Sequence, residues 1–240
     1  MTILLYQTDS YLQEFEAHVT HVEPELKAIR LDQTAFYPGG GGQVFDTGYI
    51  ESEGQIIPLI RAKSDPTGIL HILDADDNLP HAGAVIKGVI DWDRRYQVMR
   101  THTAMHILCG VIFRDYGALV TGGDMEPLKG RMDFEFESMT KELASHIEDA
   151  VNKEVLAERE VKIEILTREK ALEIPDLIRT KINLLPKHIN KIRTVEIVGL
   201  DLQADGGTHV RNTREVGIVK IVDYKSKGKI NKRIYLELSH

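Results

Sequence analysis

Two pairs of residues in this chain are suited to hold a cation: His102 with His106, and, far downstream, Asp205 with His209. Side chains four apart on a helix share a face, with Cβ atoms about 5 to 6 Å apart, so both imidazoles of the first pair can reach one ion. The second pair is separated by Gly206, Gly207 and Thr208, and the glycines permit a tight backbone path. Three nitrogens and one oxygen make a tetrahedral zinc set, closed if Asp205 binds and open to a water or substrate if it does not. Two histidines at this spacing also occur on ordinary surface or core helices, so the residues alone leave both readings standing.

The elements that must position these groups follow from periodicity. Around the first pair, Ala104, Ile107, Leu108, Val111 and Ile112 recur at three- and four-residue intervals, which predicts a helix that buries one face. Cys109, the chain's single cysteine, falls inside this pattern and reads as a small buried hydrophobe; no intrachain disulfide can form. Thr194–Val198 predicts a strand that delivers Asp205 and His209.

Residues 1–90 read as β-rich. Short apolar runs near residues 11–22, 27–32, 55–61, 68–74 and 84–91, divided by turn residues, suggest a small barrel. Within this region Gly39-Gly40-Gly41-Gly42-Gln43 combines four costly glycines with a polar neighbour. No Gly-Lys-Ser/Thr follows and no Gly-x-Gly-x-x-Gly heads a helix, which argues against a phosphate loop. A plain hairpin turn and a ligand-facing loop, with Gln43 toward the ligand, remain as alternatives. Asp91-Trp-Asp-Arg-Arg-Tyr96 leads into the histidine helix; its Trp and paired arginines suit packing and ion pairing at a domain junction, placed near residue 91.

Residues 91–240 alternate helix and strand signals. Strands are expected at 130–137, 161–166, 216–222 and 233–238, with a strand or turn ending in glycines at 116–124. Met139, Leu143, Ile147, Val151 and Val155 mark a helix begun by Ser138 or Thr140, and Thr167 can cap a short helix before Pro175. The fold class is therefore α+β: a small N-terminal barrel, then an α+β domain with a largely antiparallel sheet carrying the metal site.

Over 240 residues, 42% hydrophobic and 28% charged side chains fit an ordinary globular protein with a sizeable core. No apolar run approaches a membrane span and the first residues lack a basic leader, so a cytoplasmic protein is expected. A net charge of −7 excludes a surface that is basic everywhere. It permits local patches: Lys220, Lys225, Lys227, Lys229, Lys232 and Arg233 toward the end of the chain, and Lys181, Lys187, His188, Lys191 and Arg193 before it, are candidate phosphate-binding surfaces. The sequence assigns no oligomeric state.

With these segments placed, the whole chain resembles the AlaX-type alanyl-tRNA editing hydrolases, free-standing relatives of the alanyl-tRNA synthetase editing domain. The motifs that carry the resemblance are Asp9-Ser-Tyr-Leu-Gln-Glu-Phe15, Phe36-Tyr-Pro-Gly-Gly-Gly-Gly-Gln43, Asp91-Trp-Asp-Arg-Arg-Tyr96, Met99-Arg-Thr-His-Thr-Ala-Met-His106, Arg131-Met-Asp-Phe134 and Gly206-Gly-Thr-His-Val210, in the family's order. The length matches the intermediate form, without a long C-terminal extension.

The resemblance implies a glycine-rich β-barrel domain followed by a zinc-bearing editing domain. It implies one Zn2+ per chain held by His102, His106 and His209, with Asp205 standing where the family usually carries cysteine. It further implies hydrolysis of the ester of tRNA(Ala) mischarged with serine, or also glycine, while correctly charged alanyl-tRNA is spared. Thr121 falls near the family's polar substrate-recognising positions and is expected to contact the serine hydroxyl, with Gly41, Gly42 and Gln43 closing the pocket. Lys225, Lys227, Lys229, Lys232 and Arg233 are the expected tRNA contacts. No residue is assigned as a general base.

Rival readings are a tRNA-binding module that has lost catalysis, a zinc esterase of small substrates, and a zinc peptidase. The last conflicts with Thr103, which stands where His-Glu-x-x-His needs its glutamate.

Overall fold

The computed structural model describes residues 2–75, 78–180 and 189–239. Its contacts divide the chain into Met1–Tyr96 and Gln97–His240.

In the first unit the strands are β1 (Ile3–Leu4), β2 (Glu14–Glu23), β3 (Ala28–Leu31), β4 (Gln33–Thr34), β5 (Gly48–Ser52), β6 (Gln55–Asp65), β7 (Gly68–Leu73) and β8 (Val85–Ile90). Six of them close a barrel in the order β2-β3-β7-β6-β5-β8, and each ladder is antiparallel. Alternation along β2 buries Phe15, Ala17 and Val19, and the inward residues of the other strands, among them Ile29, Leu31, Ile50, Leu59, Leu73 and Ile86, fill the interior. The expected strands are all present. β5 is an addition: its run Gly-Tyr-Ile-Glu-Ser is too short and too mixed to stand out, and it is held by neighbours on both sides, β6 and β8.

The glycine run resolves into a hairpin. Gly40 and Gln43 exchange backbone hydrogen bonds at 3.0 and 2.9 Å, leaving Gly41 and Gly42 as the two central residues with φ of 60° and 87°. Both positive angles are what a two-residue type I′-like turn requires.

In the second unit, helix α1 (Trp92–Tyr116) is followed by β9 (Val120–Glu126), β10 (Lys129–Glu135), α2 (Lys141–Leu156), β11 (Val161–Thr167), α3 (Arg168–Leu172), β12 (Lys191–Ile197), β13 (Asp201–Ala204), β14 (Ile218–Ser226) and β15 (Asn231–Ser239). The first turn of α1 belongs to the first unit. The strands make two antiparallel sheets, β14-β15-β10-β9 and β11-β12-β13, where the sequence suggested a single one. Gly122 and Gly123 lie within β9 rather than in a turn. Thr140 caps α2 by accepting from the Leu143 amide at 3.2 Å, and Thr167 caps α3. Along the outer edge of β14, the Asn152 amide side chain on α2 donates to the Val219 carbonyl and accepts from its amide, at 2.8 and 3.0 Å. This arrangement blunts an edge that could otherwise pair with another chain.

Helix α1 corrects one expectation. From Val98 to Ile112 it is buried on every side, not on one face. Its polar residues Arg100, Thr101, His102, Thr103 and His106 are inside with the apolar ones. Polar groups enclosed in this way need partners. Arg100 donates to the Val216 carbonyl from Nε at 3.1 Å and to the Ser239 carbonyl at 3.0 Å, and Thr101 accepts from the Leu128 amide at 2.9 Å. The helix is thereby tied to the strand ends around it.

Candidate metal centre

His102 and His106 come from the middle of α1, and Asp205 and His209 from the loop that leaves β13. One ligand atom from each of the four lies within 4.8 Å of the others. The three rings surround a common point: centroids are 5.0 Å apart for His102 and His106, 4.2 Å for His102 and His209, and 4.7 Å for His106 and His209. Asp205 faces them, with Oδ1 3.5 Å from His102 Nε2 and Oδ2 3.1 Å from His209 Nε2. Side-chain exposure is 6% for His102, 9% for His106 and 0% for His209, but 16% for Asp205. Asp205 is thus the most solvent-exposed of the four side chains.

The protonation states of His102, His209 and Asp205 suit a cation, whereas His106 would have to give up a proton to ligate. Burial pushes His102 well below its ordinary value despite Asp205, and pushes His209 down to about 4. Burial alone would raise Asp205, but the three imidazoles outweigh it and hold the carboxyl well below the usual range. His106 goes the other way: burial lowers it, but Asp201 and Asp205 together raise it. Neutral imidazoles and an ionised carboxylate are the forms that ligate. Four nitrogen and oxygen donors of intermediate hardness in a compact buried group fit zinc or a similar divalent ion.

A second layer surrounds the ligands. His209 Nδ1 lies 3.1 Å from Thr103 Oγ1, which leaves Nε2 toward the cluster. The Asp205 carboxylate accepts from the Gly207 amide at 2.7 Å, and Arg193 NH1 donates to the Asp205 carbonyl at 3.0 Å while standing 3.6 Å from Oδ2. His106 Nδ1 is 3.2 Å from Asp201 Oδ2, an ion-pair distance not aligned as a hydrogen bond. Thr103, Arg193 and Asp201 were missed as members of the site. Thr103 is masked in the sequence by its ordinary place in the helix, and Arg193 by a neighbouring run of basic residues. Asp201 precedes Asp205 by one helical-type interval on a segment that is a strand, so spacing gives no hint of it.

The other candidate residues fall as follows. Thr121, exposed on β9, donates its hydroxyl to Asn231 Oδ1 at 2.8 Å. Gly41 and Gly42 form the hairpin tip of the first unit, and Gln43 is buried in that unit. Lys225, Lys227 and Lys229 are exposed on the β14–β15 hairpin, Lys225 with Asp223 at 3.0 Å. Lys232 is buried, its ammonium donating to the Gly228 and Lys229 carbonyls at 3.0 and 3.1 Å. Arg233 is bidentate on Asp133 at 2.6 and 2.8 Å. In the second basic cluster Lys191 is exposed and Arg193 is buried beside Asp205; Lys181, Lys187 and His188 lie outside the described residues.

Two family models match separate segments of the chain. Residues 6–94 match the family described as tRNA synthetases class II (A), and residues 192–235 match that described as threonyl and alanyl tRNA synthetase second additional domain. The chain is 43% identical over 239 residues to the alanyl-tRNA editing protein AlaX-M of Saccharolobus solfataricus, covering 98% of each chain. The chain belongs to the AlaX-M family of alanyl-tRNA editing proteins. It is also 38% identical to the AlaX-M protein of Methanosarcina barkeri, covering 99% of each. Against the alanine–tRNA ligase of Ignicoccus hospitalis it is 37% identical over 91% of its own length but only 24% of the ligase. The residues 192–235 segment contains Asp205 and His209, so the family resemblance and the buried donor set meet on the same loop. Among the described residues no helix is long and apolar enough to cross a membrane.

Proposed function

We propose that this protein is a cytoplasmic, zinc-dependent deacylase that hydrolyses Ser-tRNA(Ala) and spares Ala-tRNA(Ala), with Gly-tRNA(Ala) a second candidate substrate. The observation that carries the reading is the enclosed three-histidine, one-carboxylate group in a chain whose full-length relatives are named alanyl-tRNA editing proteins. His102, His106, His209 and Asp205 would hold the ion. When bound, zinc supplies a Lewis acid that can polarise an ester carbonyl or acidify a water.

The chain's own residues account for the rest of the demand. Ester cleavage places negative charge on the carbonyl oxygen in the tetrahedral intermediate, and that charge is best stabilised in a site whose dipoles are already fixed. The imidazoles and the Asp205 carboxylate are themselves acceptors, so their part would be to hold an ion at a fixed place, which burial and the anchoring of Asp205 by Gly207 and Arg193 favour. Access at Asp205 lets the aminoacyl end enter from one side. Selecting serine over alanine is the favourable direction for a pocket that hydrogen-bonds a hydroxyl, because alanine leaves that polar group unpaired. Thr121 is proposed for this contact; because it is exposed and its hydroxyl donates to Asn231 Oδ1, the serine hydroxyl would have to take over that bond or donate to the Thr121 oxygen, and Thr121→Val should then reduce the serine-over-alanine preference.

The decisive assay is deacylation of Ser-, Gly- and Ala-tRNA(Ala) by metal-analysed protein, with and without chelator. Chelator-sensitive loss of serine with alanine retained is the expected result, and the glycine ester shows whether the site takes both. Survival of all three esters on metal-loaded protein would overturn the hydrolase and leave a tRNA-binding module.

A further inference from the structure

Asp201 is a carboxylate that meets a candidate ligand, His106, from outside the ligand group. Its side chain is fully enclosed, and its Oδ2 lies 3.2 Å from His106 Nδ1, an ion-pair contact that a small turn of the ring would align as a hydrogen bond. Three other features hold it there. Gln203 donates from Nε2 to the same oxygen at 2.6 Å. Arg179 Nε stands 3.4 Å from Oδ1, with its guanidinium 3.8 Å over the Phe113 ring of α1. The third feature is Gly110, one helical turn beyond His106. A Cβ on Gly110 would come within 2.9 Å of Leu200 Cγ and 3.0 Å of Asp201 Cβ. Glycine in a helix interior costs up to about 1 kcal/mol against alanine, and here its bare backbone lets the start of β13 press against α1 at the level of the histidine.

We propose that Asp201 is a positioning residue of the metal centre, a buried carboxylate that holds the His106 ring by Nδ1 and so presents Nε2 to the cation. The proposal rests on the metal centre proposed above. A ligating imidazole commonly gives its second nitrogen to a carboxylate, which fixes ring orientation and raises ligand basicity. Thr103 serves His209 in the same way through a neutral hydroxyl, so the two rings differ in the charge behind them. Neither the glycine nor the glutamine is needed merely to neutralise Arg179; both act on where the carboxylate sits.

The test is the zinc dissociation constant by chelator competition, together with the visible spectrum of the cobalt-substituted protein, for wild type, Asp201→Ala, Asp201→Asn and Gly110→Ala. Loss of an outer partner weakens metal binding by about 10- to 100-fold. Asp201→Ala should show that loss and a shifted cobalt band. Asp201→Asn, nearly isosteric and still able to accept from Nδ1, should lose less and keeps the test valid if the alanine variant does not fold. Gly110→Ala retains the carboxylate but displaces it, and should weaken zinc in the same direction. His102→Ala is the control for the centre itself. If it abolishes zinc while both Asp201 variants bind like wild type, the positioning role is overturned. If His102→Ala also binds like wild type, the metal centre is overturned instead.

Discussion

Each unit of the protein encloses a set of charged side chains, and the two sets are built on opposite principles. In the first unit Arg95, wholly buried, donates from Nε to Asp46 Oδ1 at 2.9 Å and from its amino groups to the Ser10 and Ala35 carbonyls at 3.0 and 2.6 Å, and also pairs with Asp46 Oδ2. Asp46 Oδ2 accepts from the Tyr37 amide as well, at 2.6 Å. This set is closed, since donors and acceptors match and the charges cancel. In the second unit, His102, His106 and His209 converge with Asp205 facing them and Asp201 behind His106. That set is open, and a cation would complete it. Burial of polar groups therefore does not identify a functional site; an excess of acceptors within the buried set does.

The comparison breaks most plainly by removing one member of each. Arg95→Met strands an ionised carboxylate in the barrel and should destabilise the protein by about 3 to 5 kcal/mol, with zinc content unchanged. Adding Asp46→Leu should restore most of that loss, because replacing both partners of a buried pair with apolar groups is often neutral. Chemical denaturation followed by tyrosine and tryptophan fluorescence measures both. His102→Ala should act on chemistry. A lost Lewis acid removes several kcal/mol of transition-state stabilisation, so deacylation of Ser-tRNA(Ala) should fall by about 10^3-fold or more, and the variant should purify with less zinc. If Arg95→Met also depleted zinc, the two sets could not be regarded as separate.

Much of this arrangement was legible beforehand. The barrel strands, the Thr140 and Thr167 caps and the four ligand candidates follow from local patterns, because period-2 alternation, capping hydroxyls and His-x-x-x-His spacing are recorded within a few residues. What was lost depends on distant partners. The all-round burial of α1 is hidden because polar residues such as Arg100 and Thr101 weaken an apolar pattern, and only the carbonyls of Val216 and Ser239 and the amide of Leu128 explain why they are inside. Lys232 reads as a surface charge until the Gly228 and Lys229 carbonyls fold over it. Arg193 reads as part of a basic run until β12 pairs with β13 and turns it toward Asp205.

His71 gives a titratable example inside the barrel. It is fully buried in the barrel, with Nε2 2.9 Å from Thr34 Oγ1, and burial pushes it down to about 4 from an ordinary 6.5. Above pH 6.5 the ring is neutral folded or unfolded, and its contribution to stability is complete. As the pH falls from 6.5 to 4 the unfolded chain takes up a proton that the folded chain refuses, so stability is lost across that window, by on the order of 3 kcal/mol in all. Below pH 4 both forms are protonated and the loss stops growing. Urea unfolding of wild type and His71→Gln at several pH values should show a shallower decline for the variant between pH 6.5 and 4; parallel curves would mean that the ring is solvated in the barrel.

The smallest effect is expected where charges are neither closed nor converging. Lys225, Lys227 and Lys229 are exposed at the β14–β15 hairpin, while Lys232 and Arg233 are held by carbonyls and by Asp133. Only the three exposed lysines are then available to phosphates, and their gain comes chiefly from released counterions, roughly 0.7 to 0.9 units of log–log salt slope per contact. Replacing all three by glutamate should weaken tRNA(Ala) binding, lower the salt slope by about 2, and leave zinc content and folding stability as they were. Deacylation of mischarged tRNA should weaken in parallel, through KM rather than kcat. An unchanged slope would remove the hairpin from the tRNA surface, and a fall in kcat alone would mean that these lysines act on the metal centre and not on the nucleic acid.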